Sequence, residues 1–118
     1  MPAAVAAVND FFFASKLKEA ARASGAELVF TTSLEDTVET AARLNAKVVL
    51  LDLNGEGYSR VDAVKALKAD PRTKSARTVG YLSHVMVDLK VAAEAAGCDL
   101  VLARSAFVKR LPELLKGA

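Results

Sequence analysis

The chain has 118 residues, 53% of them hydrophobic and 25% charged, enough apolar material for one packed core and too much for a disordered, collagen-like or low-complexity chain. Its 16 basic and 14 acidic residues are scattered and net to +2, so there is no basic block for nucleic acid and no charged tail. A single cysteine and a single histidine exclude an internal disulfide and a structural zinc site, and they suit a reducing cytoplasm.

The opening segment 2–9 has no basic flank and is too short for an export signal. No stretch approaches the ~20 apolar residues of a membrane helix. The expectation is a chain that neither enters nor spans a membrane.

In chain order, the first element is the apolar run 3–8 (AAVAAV), apolar on both parities as a strand covered on both faces would be. Phe11, Phe12 and Phe13 follow in a predicted loop, from which at least one ring should enter the core. Residues 14–24 are good helix formers and stop at Gly25, the residue most tolerant of the left-handed C-terminal position. A second strand is predicted at 27–31 (ELVFT). Ser33 then caps a helix with Asp36 at the reciprocal capping-box position, and Leu34, Val38, Ala41 and Ala42 form its buried stripe.

The third run, 47–53 (KVVLLDL), carries an aspartate among apolar neighbours. Ser59 and Asp62 open the next helix, which Pro71 stops after Asp70. A strand at 78–82 (TVGYL) and a helix at 88–96 ending at Gly97 follow. The last strand is 99–102 (DLVL). Pro112 disfavours helical geometry at Leu111, so the final helix is expected to be short and to start near Pro112.

Five strands alternating with five helices predict an α/β, doubly wound parallel sheet with helices on both faces. Ligands of such sheets bind at the carboxyl ends of the strands. The residues there are Asn9 and Asp10 after the first strand, and Asp52 and Asn54 at the end of the third. Ser83 and His84 follow the fourth strand, Arg104 and Ser105 the fifth. Asp52 is the most informative, because a carboxylate inside VVLLDLN costs several kcal/mol unless it is paired or metal-bound.

These residues resemble those of response-regulator receiver domains, over essentially the whole chain. Asp10 stands where that family has the second of two acids, Asp52 where it has the phosphoacceptor, Ser83 where it has a hydroxyl and Arg104 where it has a lysine. The resemblance implies one receiver-like domain over 1–118 with the flavodoxin-like strand order 2-1-3-4-5. It also implies a stand-alone module of phosphorelay signalling, in which Asp52 takes a phosphoryl group from a histidine kinase, a phosphotransfer protein or a small phosphodonor. Mg²⁺ would be held by Asp10, Asp52 and the backbone carbonyl of Asn54. Ser83 would donate to a phosphoryl oxygen, and Arg104 would neutralise another. Output would pass to a downstream protein target, with no role for nucleic acid or membrane and no enzymatic turnover of a separate substrate.

The sequence departs from the family at several of these points. Asn9 replaces the first acid, which weakens the metal cradle, and Arg104 replaces lysine with a planar fork able to grip Asp52 bidentately. Ser105 stands for proline, Gly55 to Gly57 for the usual Met-Pro loop, and Val101 for the aromatic that reports phosphorylation. The alternative is therefore a phosphorylation-independent pseudo-receiver, an interaction module in which Arg104 neutralises Asp52.

Asp10 reads equally as a helix cap or a ligand. His84 reads as a solvated loop residue or as a neighbour of the phosphoryl group, and Cys98 as a small buried hydrophobe. A dinucleotide-binding turn is excluded by NDFFFAS after the first strand, where glycines would be needed, and by Arg60, which stands where a third glycine would follow Gly55 and Gly57. No P-loop occurs. A small enzyme finds no second titratable pair at the strand ends.

Overall fold

The computed structural model describes residues 3–83 and 86–116. Strands β1 (Ala3–Ala7), β2 (Glu27–Phe30), β3 (Val48–Asp52), β4 (Arg77–Leu82) and β5 (Leu100–Ala103) alternate with helices α1 (Phe11–Ser24), α2 (Leu34–Leu44), α3 (Arg60–Ala69), α4 (Val87–Ala95) and α5 (Arg104–Lys116). All neighbouring strands are parallel, in the order β2-β1-β3-β4-β5. The expected fold class and strand order are therefore those found. Every residue of β1 and β3 is buried, as their apolar character on both parities requires.

The sheet divides two cores. Phe13, Leu17 and Ala21 of α1 and Phe107, Leu111, Leu114 and Leu115 of α5 cover one face, against Val48, Leu50, Val79 and Tyr81. Val38 and Ala41 of α2, Ala63, Val64 and Leu67 of α3, and Ala93 of α4 cover the other, against Val5, Val49 and Leu51. The chain reverses its direction of winding between β1 and β3, which opens a crevice at the carboxyl ends of these two strands.

Local signals set most boundaries. Ser33 accepts from the Asp36 backbone N–H at 3.0 Å, and the Asp36 carboxylate returns a bond to the Thr32 N–H at 3.0 Å. The reciprocal bond thus closes one residue upstream of the cap. Ser59 caps α3 through the Asp62 N–H, and α3 ends before Pro71. Gly25 terminates α1 in the left-handed region with φ 71°.

Two helices differ from expectation at their starts. α1 begins at Phe11, three residues before the predicted start, because the Asp10 side chain accepts from the Phe13 N–H and fixes the first turn there. The phenylalanines thus form the opening of a helix, with Phe13 buried and Phe11 and Phe12 exposed.

The short final helix expected from Pro112 is also corrected. α5 starts at Arg104, directly after β5, and runs through Pro112 to Lys116. Proline in a helix interior costs about 3 kcal/mol. Phe107, Leu111, Leu114 and Leu115 are all nearly or fully buried on that helix, and each contributes about 1.5–3 kcal/mol. Tertiary burial outweighs the local penalty.

Candidate functional site

Asp52 closes β3, with Leu50 and Val48 on the same face. Its cross-strand partner is Tyr81 of β4. The carboxylate lies at the carboxyl edge of the sheet and is only 5% exposed. It lines a cavity of about 320 Å³ together with Asn9, Asp10, Asn54, Gly55, Glu56 and Arg104. Four of the five sequence-predicted site residues, Asp10, Asp52, Asn54 and Arg104, therefore share one cavity. The fifth, Ser83, does not line it. Ser83 is exposed and lines an adjoining cavity with Ala103, Arg104 and Ser105, so Arg104 is the wall common to both. His84 lies outside the described residues.

The loop after β3 takes its shape from the site itself. Asp52 Oδ1 accepts from the Asn54 N–H at 3.1 Å, and the Asp52 carbonyl accepts from the Gly55 N–H at 2.9 Å. Asn54 turns its side chain toward β4, where its Oδ1 accepts from the Ser83 N–H at 2.8 Å. Asn54 thereby ties the third strand end to the fourth. Asp10 serves as the N-cap of α1 through Oδ1, as the cap reading expected, and it also lines the cavity. Asn9, in place of an acid, donates from Nδ2 to the Glu56 carbonyl at 3.3 Å and joins the β1–α1 loop to the β3–α3 loop.

Burial is the main influence on Asp52 and pushes its carboxyl above the usual carboxylate range. The Asn54 N–H and the positive charges of Arg60 and Arg104 act against that rise, and Asp10 adds to it. Among the described residues Asp52 forms no ion pair. The bidentate grip of Arg104 on Asp52 that the alternative reading called for is therefore not formed. The Arg104 guanidinium lies instead over the rings of Phe13 and Tyr81, 5.5 and 5.8 Å from their centroids. Two π faces hold it there without the desolvation that a buried ion pair would demand.

Those rings belong to a stack beneath the site. Phe13 and Tyr81 have centroids 4.5 Å apart, and Tyr81 and Phe107 4.6 Å. The Tyr81 hydroxyl is buried without a hydrogen-bond partner among the described residues, and burial, followed by the charge of Asp52, drives its pKa far above the ordinary tyrosine value. Val101 lies on β5 in register with Gly80.

The residue that sequence reasoning missed is Arg60. It opens α3 yet is 1% exposed, with Nε on the Ala7 carbonyl at 3.2 Å and Nη1 on the carbonyls of Glu56 and Tyr58 at 2.7 and 2.8 Å. Its guanidinium carbon sits 3.8 Å from the centroid of the Tyr58 ring. A signal was present: a cation at the first position of a helix opposes the helix dipole and needs another reason to be there.

The acidic residues lining the cavity, Asp10, Asp52 and Glu56, offer hard oxygens, which suit a hard divalent cation. Among the described residues no group of three His, Cys, Asp or Glu side chains is placed to hold a metal, so any such ion would depend on backbone oxygen and water for its remaining ligands. No helix of the described residues is long and apolar enough to cross a membrane.

No protein-family model matches the chain, and no curated protein shows significant similarity to it. Solved structures do. A protein described as a response regulator from Chloroflexus aurantiacus is 20% identical, with 98% of each chain covered and a TM-score of 0.82. The chemotaxis response regulator CheY4 of Vibrio cholerae is 16% identical, with 98% of this chain and 97% of that one covered and a TM-score of 0.83. A response regulator from Burkholderia pseudomallei, solved with a phosphorylated aspartic acid, a calcium ion and citrate, is 17% identical over 98% of this chain and 66% of that one, with a TM-score of 0.81. These structural neighbours are receiver domains, and this chain has their fold over nearly its whole length.

Proposed function

We propose, from the receiver fold and the acidic cavity at its switch point, that this chain is a receiver module of phosphorelay signalling with Asp52 as its phosphoacceptor. The observation that carries the reading is Asp52 itself. It is a buried carboxylate with no ion-pair partner among the described residues, placed at the end of the central strand in a cavity that also holds Asp10 and Arg104. A carboxylate so desolvated persists where it has work to do.

In the proposed step an Asp52 carboxylate oxygen attacks the phosphorus of a phosphohistidine or of an acyl phosphate such as acetyl phosphate. The new O–P bond forms as the N–P or O–P bond breaks, and the leaving imidazole or carboxylate retains the electron pair. Little covalent work falls to the protein, so positioning and charge stabilisation dominate. Arg104, on the wall between the two cavities, meets the negative charge spread over the transferred group. Ser83, on the adjoining cavity, donates its hydroxyl to a phosphoryl oxygen. Asp10, Asp52 and the Asn54 carbonyl would hold a Mg²⁺ ion, which when bound neutralises phosphoryl charge. Asn9, an amide already engaged with Glu56, adds no charge to that set.

The module acts in the cytoplasm, receives its phosphoryl group from a histidine kinase or phosphotransfer protein, and delivers its output by contact with a downstream protein. It turns over no separate substrate. Asn9 in place of an acid favours a second reading, a phosphorylation-independent interaction module built on the same fold.

Incubation with acetyl phosphate, or with beryllofluoride, at millimolar Mg²⁺ separates the two. The relay reading expects an intact-mass gain of one phosphoryl group with acetyl phosphate and amide shifts centred on Asp52 with either reagent, both abolished in Asp52→Ala. No modification and no shifts under those conditions would leave the interaction module.

A further inference from the structure

We infer that Arg60 is a resident counter-charge of the Asp52 cradle, a tethered cation that opposes the entry of a divalent metal ion while shaping the loop that frames it. The inference concerns the cavity used in the reading above, but it is judged on cation binding and not on phosphorylation.

A guanidinium that is 1% exposed ordinarily sits against a carboxylate, because an uncompensated buried charge is strongly destabilising. Among the described residues Arg60 forms no ion pair. Its contacts are three carbonyl oxygens and the face of Tyr58, and Nη2 is buried with no partner among the described residues. Hydrogen bonding is therefore incomplete and the positive charge is not cancelled at short range.

The position of that charge is defined by what it touches. Ala7 ends β1, three residues before Asp10. Glu56 lines the Asp52 cavity, and its carbonyl accepts from both Asn9 and Arg60. Gly55 also lines the cavity, and a Cβ built on it would stand 2.8 Å from the guanidinium carbon. Arg60 is thus packed directly against the backbone that walls the cavity. Its charge bears on Asp52 more strongly than that of Arg104.

The cradle is lined by three acidic residues, Asp10, Asp52 and Glu56, and two guanidinium groups, Arg60 and Arg104, oppose them, with an amide at Asn9. Much of its negative charge is therefore offset before any cation arrives. A dication entering it meets one fixed positive charge that cannot leave, because Arg60 is pinned on three carbonyls. Arg104, by contrast, is exposed and rests on the faces of Phe13 and Tyr81 without such a tether. Charge compensation that an added cation would give Asp52 is in part built into the chain.

The test is Mn²⁺ binding to the full chain, read by paramagnetic broadening of the amide signals of Asp10, Asp52 and Asn54 and by the free-ion electron paramagnetic resonance signal. Arg60→Met removes the charge and should tighten Mn²⁺ binding by roughly tenfold, whereas Arg60→Lys retains the charge without the fork and should stay within about twofold of the parent. A purely structural role predicts the opposite pattern, with both variants weakened because the loop loses its shape. If Arg60→Met does not fold, Arg60→Gln, neutral yet able to donate to the same carbonyls, is read in its place.

Tighter binding in a neutral variant supports the inference even if the parent binds no Mn²⁺. Unchanged or weaker binding in every folded neutral variant overturns it. So does a result in which no neutral variant folds, since the charge would then serve folding alone. The phosphorelay reading stands or falls separately, on the mass gain at Asp52.

Discussion

Replacing Asp52 by asparagine should stabilise the fold at neutral pH, and the reason is worked from its surroundings. The carboxylate is 5% exposed, and the effective penalty for burying an ion is several kcal/mol. Two compensations reduce it. The Asn54 N–H donates to Oδ1, a charge-assisted bond worth about 1.5–3 kcal/mol, and Arg60 and Arg104 contribute at longer range.

Burial still prevails, since the carboxyl is raised above its ordinary value. The ionised group is therefore a net cost of about 1–2 kcal/mol, which the isosteric amide removes while keeping an acceptor for Asn54. For a chain of 118 residues that corresponds to a rise in Tm of about 5 °C.

The pH dependence follows from the same direction. With the folded pKa above the unfolded one, the cost is absent below the unfolded carboxylate value. It grows as pH rises through the interval between the two and is constant above the folded value. Urea unfolding of both proteins in chelator-treated buffer, at about pH 7 and at about pH 4, reads it. The variant should be more stable at the higher pH, with the gap narrowing at the lower. A variant less stable at neutral pH, or a gap independent of pH, would refute the reasoning.

Three further outcomes are expected. Tyr81→Phe deletes a buried hydroxyl that has no partner among the described residues, and relief of that desolvation should stabilise by about 1 kcal/mol in chemical denaturation; a loss of stability would reveal a partner for the hydroxyl. Gly80→Ala brings a Cβ to 2.7 Å from Leu53 Cδ1 beneath the Asp52 loop, and the overpacking should cost about 1–3 kcal/mol, with amide shifts at Leu53 and Asn54. Ser33→Ala removes the oxygen that accepts from Asp36 N–H and should cost about 1 kcal/mol in thermal unfolding, with no change at Asp52.

The sheet was legible because its strands announce themselves. AAVAAV and VVLLDL are apolar on both parities, and only a strand covered on both faces asks for that. Asp52, Asp10, Asn54 and Arg104 were legible as strand-end residues once the alternation was recognised. What escaped depends on contacts distant in sequence. Pro112 stops a helix by local rules, yet four buried side chains of α5 hold it in one. A grip of Arg104 on Asp52 was the alternative reading, drawn from the fork of its guanidinium, and the aromatic faces of Phe13 and Tyr81 on which it rests instead come from two other elements. Arg60 entered the sequence reading only as a residue standing where a third glycine would be needed. Only the fold brings the Ala7 carbonyl, 53 positions away, onto its Nε.

The contact between Gly55 and Arg60 restricts how this chain is able to drift. The end of an arginine is usually free to swing aside, but here it is enclosed and fastened at three points, so a methyl group at 55 has nowhere to push it. Alanine or anything larger at that position becomes admissible only after 60 has shrunk. The two sites are thus locked into one order of replacement, and among descendants of this sequence a side chain at 55 should occur only where the arginine has already been lost.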